Sequence, residues 1–468
     1  MIVTTFLKSL SRRKTLFSIG NENFLKKTFN TYDLISLGVG STLGVGLYIL
    51  PGSVVKNVTG PAIVFSFLIA AIISVLAGLC FAEFGAYSPS SGSIYSYCYA
   101  TLGEFFAFIM GWNLLSQYII GTASVVKALS IYIDSYMNNT IETHLREIYE
   151  IDVPYLSQYF DVLALLICIL IAIALSFGLT ESVLINNILT SVNVSLVLFF
   201  VIIGLPKINF SNWQLPPPSN ISFNAGNGGF LPYGLTGVIQ GAGVCFYGFI
   251  GFDSIATTGG EVKMPEKTFP IAIITTLAIV FAAYFSISTV LTLLVPYYLQ
   301  DETAPLSYAF QYIGYNWAEW ILNIGSLFGL CTALLGSFFP VSRILFAMSN
   351  DGLIFRSFSI INKKYNTPVI GTLCSGIITG IIAAIFDVDH LINLNSIGTL
   401  LSYTTIAICV IILRYAERYY DNISESNPLL IIEEKKILRQ CELSYQRQKT
   451  NQIQINHTVS INVAIYCN

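Results

Sequence analysis

The sequence predicts an all-α polytopic membrane protein: ten transmembrane helices in a 5+5 inverted repeat, with helices 1 and 6 discontinuous. Three observations predict it. Hydrophobic residues make up 54% of the 468, and charged residues only 10%; mean hydropathy is +0.68. A soluble domain carries about 25% charged residues, so this is membrane composition. Ten apolar stretches approach or exceed the length of a bilayer crossing, about 20 residues. Two of them are interrupted by glycine at matching places, Gly38-Val39-Gly40-Ser41-Thr42-Leu43-Gly44-Val45-Gly46 and Gly241 through Gly251-Phe252-Asp253.

Residues 1–31 read as a cytoplasmic N-terminus, because Lys8, Arg12, Arg13, Lys14, Lys26 and Lys27 leave no apolar core for a signal peptide. The spans follow at 32–57, 60–86, 104–134, 161–178 and 183–204, forming a first five-helix repeat over 32–204. Residues 205–235 form an extracellular loop. A second repeat over 236–414 holds the spans 236–258, 269–296, 318–348, 368–386 and 390–414. The third and eighth are long enough to tilt. Residues 415–468 turn polar, with a short helix expected near 429–449, and read as a cytoplasmic tail.

Loop charge sets the orientation. With the N-terminus inside, inner loops carry Lys263, Lys267, Arg343, Arg356, Lys363, Lys364, Arg414 and Arg418, whereas outer loops carry only Lys56, Arg146 and Lys207. Three glycosylation sequons, at Asn138, Asn209 and Asn220, fall in loops that this orientation places outside. Five spans per half is an odd number, so the second half enters from the opposite side and the repeat is inverted.

Backbone in hydrocarbon must satisfy its own hydrogen bonds, so unwound stretches survive only where they line a cavity. Breaks heading both halves therefore mark a transporter's substrate site. A half-helix N-terminus offers unpaired amides to a carboxylate. Freed carbonyls suit an ammonium, and a free amino acid carries both groups. The expected donors are the amides of Leu43, Gly44, Val45 and Gly46 with the hydroxyls of Ser41 and Thr42. The expected acceptors are carbonyls near Phe246, Tyr247, Gly248 and Ile250. Either break alone reads equally well as close helix packing.

Ionisable residues at membrane depth are functional candidates. Asp253 is either a ligand or the cap of the half-helix that resumes after Gly251. Lys127 is expected to snorkel outward; Glu83 and Glu104 sit at the inner boundary. The nine cysteines show no CxxC spacing and read as packing residues. An enzyme is excluded by the lack of a nucleophile–base cluster, and His144, His390 and His457 lack metal spacing.

Several stretches are similar to the cationic amino acid transporters, within the amino acid–polyamine–organocation superfamily. These are Thr31-Tyr32-Asp33-Leu34, Gly60-Pro61-Ala62-Ile63, Gly111-Trp112-Asn113-Leu114-Leu115 and above all Cys245-Phe246-Tyr247-Gly248-Phe249-Ile250-Gly251-Phe252-Asp253-Ser254. Later matches include Leu335-Gly336-Ser337 and Ser396-Ile397-Gly398-Thr399-Leu400. The resemblance covers about residues 25–415. It implies the LeuT-like fold and potential-driven uptake of arginine, lysine and ornithine at the plasma membrane.

The partners it implies are a small amino acid and the lipid bilayer, with no nucleic acid and no cofactor. Gln117 falls where relatives line the side-chain end of the pocket, but supplies no countercharge. Asn193 falls where proton-dependent relatives have lysine, and cannot titrate, which implies uncoupled transport. The family has four further spans after residue 414, so this chain reads as a truncated isoform or an incomplete gene product. A neutral amino acid or polyamine carrier on an intracellular membrane, and a non-transporting amino-acid sensor, remain as alternatives.

Overall fold

A computed structural model describes residues 12, 29–87, 92–137, 139–148, 150–151, 153, 155–177, 183–216, 226–362 and 367–426. Among these the architecture is helical, with two isolated β-bridges and no strand. The first helices are α1 (Thr31–Thr42), α2 (Val45–Tyr48), α3 (Leu50–Val54), α4 (Ile63–Tyr87), α5 (Ile94–Thr101) and α6 (Glu104–Tyr136). Next come α7 (Thr140–Ile148), α8 (Val162–Ser176), α9 (Val183–Gly204), α10 (Gly234–Cys245), α11 (Ser254–Thr257) and α12 (Pro265–Leu294). The last are α13 (Pro305–Tyr312), α14 (Asn316–Asn350), α15 (Val369–Ile385) and α16 (Val388–Ser426).

By length and composition, seven helical stretches among the described residues can cross a membrane: Leu50–Ala86, Glu104–Ser135, Leu184–Lys207, Gly234–Thr257, Pro265–Leu294, Asn316–Asn350 and Val388–Tyr415. The apolar helices α8 and α15 have 15 and 17 residues. At a rise of about 1.5 Å per residue they fall somewhat short of a hydrocarbon core of about 30 Å. Outer faces are apolar: on α4, Phe65, Ile72, Leu76 and Leu79 are exposed. That is the pattern of a helix wetted by lipid.

The chain divides into two compact units at Val410. In the first, α4 packs along α12, α6 along α14, and α8 along α15, while α1 is held by α12, α9 and α14. The described part of the second is the helical stretch from Ile411 to Ser426. The short helix expected near 429–449 lies outside the described residues, as do Asn138 and Asn220. Asn209 is exposed, and its side chain accepts from the Ser211 amide at 3.0 Å.

Helix starts follow local chemistry. The Asp33 carboxylate accepts from the Asn30 amide at 3.0 Å, closing the first turn of α1. Asp161 caps α8 by accepting from the Ala164 amide at 2.9 Å. The same carboxylate corrects the expectation for Lys127. That side chain does not snorkel: it is 1% exposed, 2.9 Å from Asp161 and 3.0 Å from the Ser157 hydroxyl it donates to. Ser130 donates to the other Asp161 oxygen at 2.8 Å, and the ammonium sits 4.7 Å from the Tyr159 ring centre. A paired, fully bonded partner at hand replaces the long reach to water.

The breaks are narrower than the glycine pattern suggests. Helix α1 continues through Gly38 and Gly40 to Thr42, and the unwinding falls at Leu43 and Gly44. Gly241 and Gly243 lie inside α10; a 3₁₀ turn over Phe246–Phe249 then leads to extended Ile250 and to Gly251 at φ +127°. Arg343, expected in an inner loop, is inside α14, where it lies half-buried against Glu261 at 3.3 Å.

Candidate functional site

The two breaks touch. A Cβ on Gly46 would lie 2.7 Å from the Gly248 Cα and 2.5 Å from the Tyr284 hydroxyl, so only a hydrogen there lets α2 approach the 3₁₀ turn. Ser41 at the end of α1 donates to the Gly251 carbonyl at 2.9 Å and stands 3.0 Å from the Ser254 hydroxyl. Gly251 has a backbone geometry that side chains rarely adopt.

Between the breaks and the faces of α6, α14 and α16 lies a cavity of about 40 Å³. Of the expected residues, Ser41, Thr42, Gly44, Val45, Gly46, Gln117, Tyr247 and Ile250 line it. Leu43, Phe246 and Gly248 do not. Leu43 is fully buried, the Phe246 ring packs 5.8 Å from that of Tyr403, and Gly248 lies under the Tyr284 ring. The donor set also narrows. The Leu43 amide donates to the Val39 carbonyl at 2.9 Å and the Gly44 amide to Thr42 at 3.0 Å, leaving Val45 and Gly46 at the start of α2.

Asn193 is fully buried on α9. Its amide nitrogen donates to the Leu43 carbonyl at 2.7 Å, and its oxygen accepts from the Tyr48 hydroxyl. It thus satisfies a carbonyl at the first break with a neutral group. The reading of Asp253 as a helix cap is not met: its side chain makes no capping bond into α11. One oxygen accepts from Tyr118 at 2.7 Å and from the Gln117 amide at 3.3 Å, the other from the Gly251 amide at 3.2 Å. Asp253 is 1% exposed, so a carboxylate stands directly behind three residues of the cavity wall. The countercharge that Gln117 lacks is one hydrogen bond away.

Sequence reasoning missed Tyr118, Ser337 and Asn395 in the wall. Each is a polar residue inside an apolar span. Tyr118 adjoins Gln117, and this adjacency was the available signal.

Toward the end of α14 aromatic and ionic contacts pack the chain beyond the residues that line the cavity. The Arg343 guanidinium lies 3.5 Å from the Phe339 ring centre, and Phe29 meets the same ring edge-on at 6.4 Å. Phe29 also donates its amide to the Glu261 carbonyl at 3.1 Å. Arg12 pairs with Glu104 at 2.8 Å and donates to Tyr99 at 2.8 Å.

Residues 29–432 match the amino acid permease family. The chain belongs to that family. Cationic amino acid transporter 4 of Homo sapiens is 41% identical over 87% of this chain, and that of Mus musculus 39% over 88%. The vacuolar cationic amino acid transporter 4 of Arabidopsis thaliana is 35% identical over 87% of it. The chain spans 63% of the mouse and human proteins and 68% of the plant one. The membership accounts for a helical membrane protein rather than an enzyme.

Proposed function

We propose that the chain carries amino acids across a membrane by alternating access, with a preference for cationic L-amino acids such as arginine, lysine and ornithine. The observation that carries the preference is Asp253. Its hydrogen-bond partners among the described residues are neutral, and all three of them, Gln117, Tyr118 and Gly251, line the cavity. A carboxylate at membrane depth without a bonded cation creates a negative field, which low dielectric sustains and which a lysine or arginine side chain completes. The α-carboxylate meets the amides of Val45 and Gly46, and the α-ammonium meets carbonyls near Tyr247 and Ile250.

The architecture behind this reading is the ten-helix 5+5 inverted repeat. It accounts for the pairing of α4 with α12, α6 with α14 and α8 with α15, each the second, third or fourth helix of one half against its counterpart. The N-terminus and the tail are cytoplasmic, and Asn209 is outside. Transport is uncoupled from protons because Asn193 holds the Leu43 carbonyl without a titratable group. The membrane potential supplies about 2.3 kcal/mol per 100 mV for each charge, enough to concentrate a cation. We place the carrier at the plasma membrane. The words "vacuolar" and "mitochondrial" in the names of Arabidopsis relatives favour an intracellular membrane as the second reading.

Uptake of labelled arginine, lysine and leucine into cells lacking their own carriers, at two membrane potentials, tests the proposal. Arginine and lysine entry that rises with inside-negative potential is the expected result. Leucine preferred over arginine, or indifference to potential, overturns it.

A further inference from the structure

We infer that Asn395 is a specificity-determining residue, its side-chain oxygen accepting a hydrogen bond from the ammonium or guanidinium that ends the carried side chain. This rests on reading the cavity as the site of an amino acid carrier. Asn395 is 3% exposed and lines the cavity from α16. Its Oδ1 atom is buried and has no hydrogen-bond partner among the described residues.

The other polar side chains of the wall are engaged within the protein. Ser41 donates to Gly251 at 2.9 Å, Thr42 to Gly38 at 2.6 Å and Ser337 to Leu334 at 3.2 Å. Tyr118 is held by Asp253 at 2.7 Å, and Tyr247 lies 2.7 Å from the Ser124 hydroxyl. Gln117 uses both ends, donating to Asp253 at 3.3 Å and accepting from Ser402 at 3.0 Å. A buried acceptor without a partner is costly, so a ligand that supplies a donor gains most at Asn395. Water can satisfy that oxygen while the cavity is free of substrate, and a cation replaces it with a charge-assisted bond.

Position fits the same chemistry. A Cβ on Gly121 would lie 3.1 Å from the Asn395 amide nitrogen, so the glycine of α6 makes room for the amide at the cavity edge. Gly121 is one helical turn, about 5.4–6 Å, beyond Gln117 on the same face. The acceptor of Asn395 and the carboxylate behind Gln117 therefore border one end of the cavity. Together they complement a side chain that carries both hydrogen-bond donors and positive charge.

The test compares lysine with norleucine, which has the same carbon chain without the ammonium. Uptake efficiency for each is measured in the full chain and in N395L, N395A and N395D, normalised to surface expression. Loss of one bond to a charged group lowers the lysine:norleucine ratio about tenfold in N395L and N395A. N395D keeps an acceptor and holds or raises the ratio. Purified protein gives a second readout: lysine raises the melting temperature more than norleucine does, and this difference shrinks in N395A. A ratio in N395L and N395A within twofold of the unmodified chain overturns the inference and leaves the carrier reading standing. An unmodified chain that takes up neither lysine nor arginine overturns both.

Discussion

Tyr118 donates to Asp253 at 2.7 Å, which ties the long helix α6 to the segment that follows the second helix break. Both groups are buried, so the carboxylate is held by neutral donors in a medium of low dielectric. A charge kept in that way acts on whatever occupies the neighbouring cavity. D253N retains the size and the acceptor for Tyr118 while removing the charge. We expect its lysine:norleucine uptake ratio to fall at least tenfold, with norleucine uptake reduced far less. An unchanged ratio with normal surface expression would remove Asp253 from the account of selectivity.

Contact between the breaks makes a second prediction. G46V places a branched side chain where the Gly248 Cα lies 2.7 Å from the first added carbon, so the halves must separate. Overpacking of this kind costs about 1–3 kcal/mol and displaces the cavity wall. Uptake of every amino acid is expected to fall below a tenth of normal. The control is G243A, since a Cβ there meets nothing within 4 Å; its uptake should stay within twofold. Equal behaviour of the two variants would contradict the geometry.

The same two glycines mark how far the sequence could be read. Apolar length located the long helices because a bilayer imposes that length on any crossing. Clustered glycine located both interruptions, yet Gly46 and Gly243 look alike in sequence. One faces another backbone at close range and the other faces open space, and only the tertiary approach separates them. Gln117 was legible as a polar residue in an apolar helix. Its dependence on Asp253 was not, because 136 positions separate the two along the chain. For Lys127 the sequence offered a route to water, but nothing in the local pattern announced Asp161 as a partner within 2.9 Å.

That pair carries a stability prediction. Asp161 accepts from Lys127, Ser130 and the Ala164 amide, so it joins α6 to the start of α8. K127A leaves a buried carboxylate without its cation, which costs about 3–5 kcal/mol. Replacing both partners, as K127M with D161L, removes the charge together with its counterion and is expected to cost less than K127A alone. Melting temperatures of the purified proteins in detergent decide it. A double variant no more stable than K127A would mean that the cap on α8, and not the ion pair, dominates.

Asn193 supplies the last prediction. Its amide nitrogen donates to the Leu43 carbonyl at 2.7 Å while its oxygen accepts from Tyr48, so one neutral side chain closes the first break at every pH. Arginine uptake by the unmodified chain should therefore stay level between mildly acidic and neutral pH when the potential is clamped, and a proton ionophore should leave it unchanged. In N193D the residue can donate to Leu43 only while it is protonated. Uptake by that variant is then expected to rise as the pH falls, a dependence absent from the unmodified chain. N193L can donate at no pH and leaves a buried carbonyl unpaired, a loss of about 1–3 kcal/mol. It should transport poorly across the whole range. Proton-stimulated uptake by the unmodified chain at constant potential would show that coupling enters through another group and would sink the role given to Asn193.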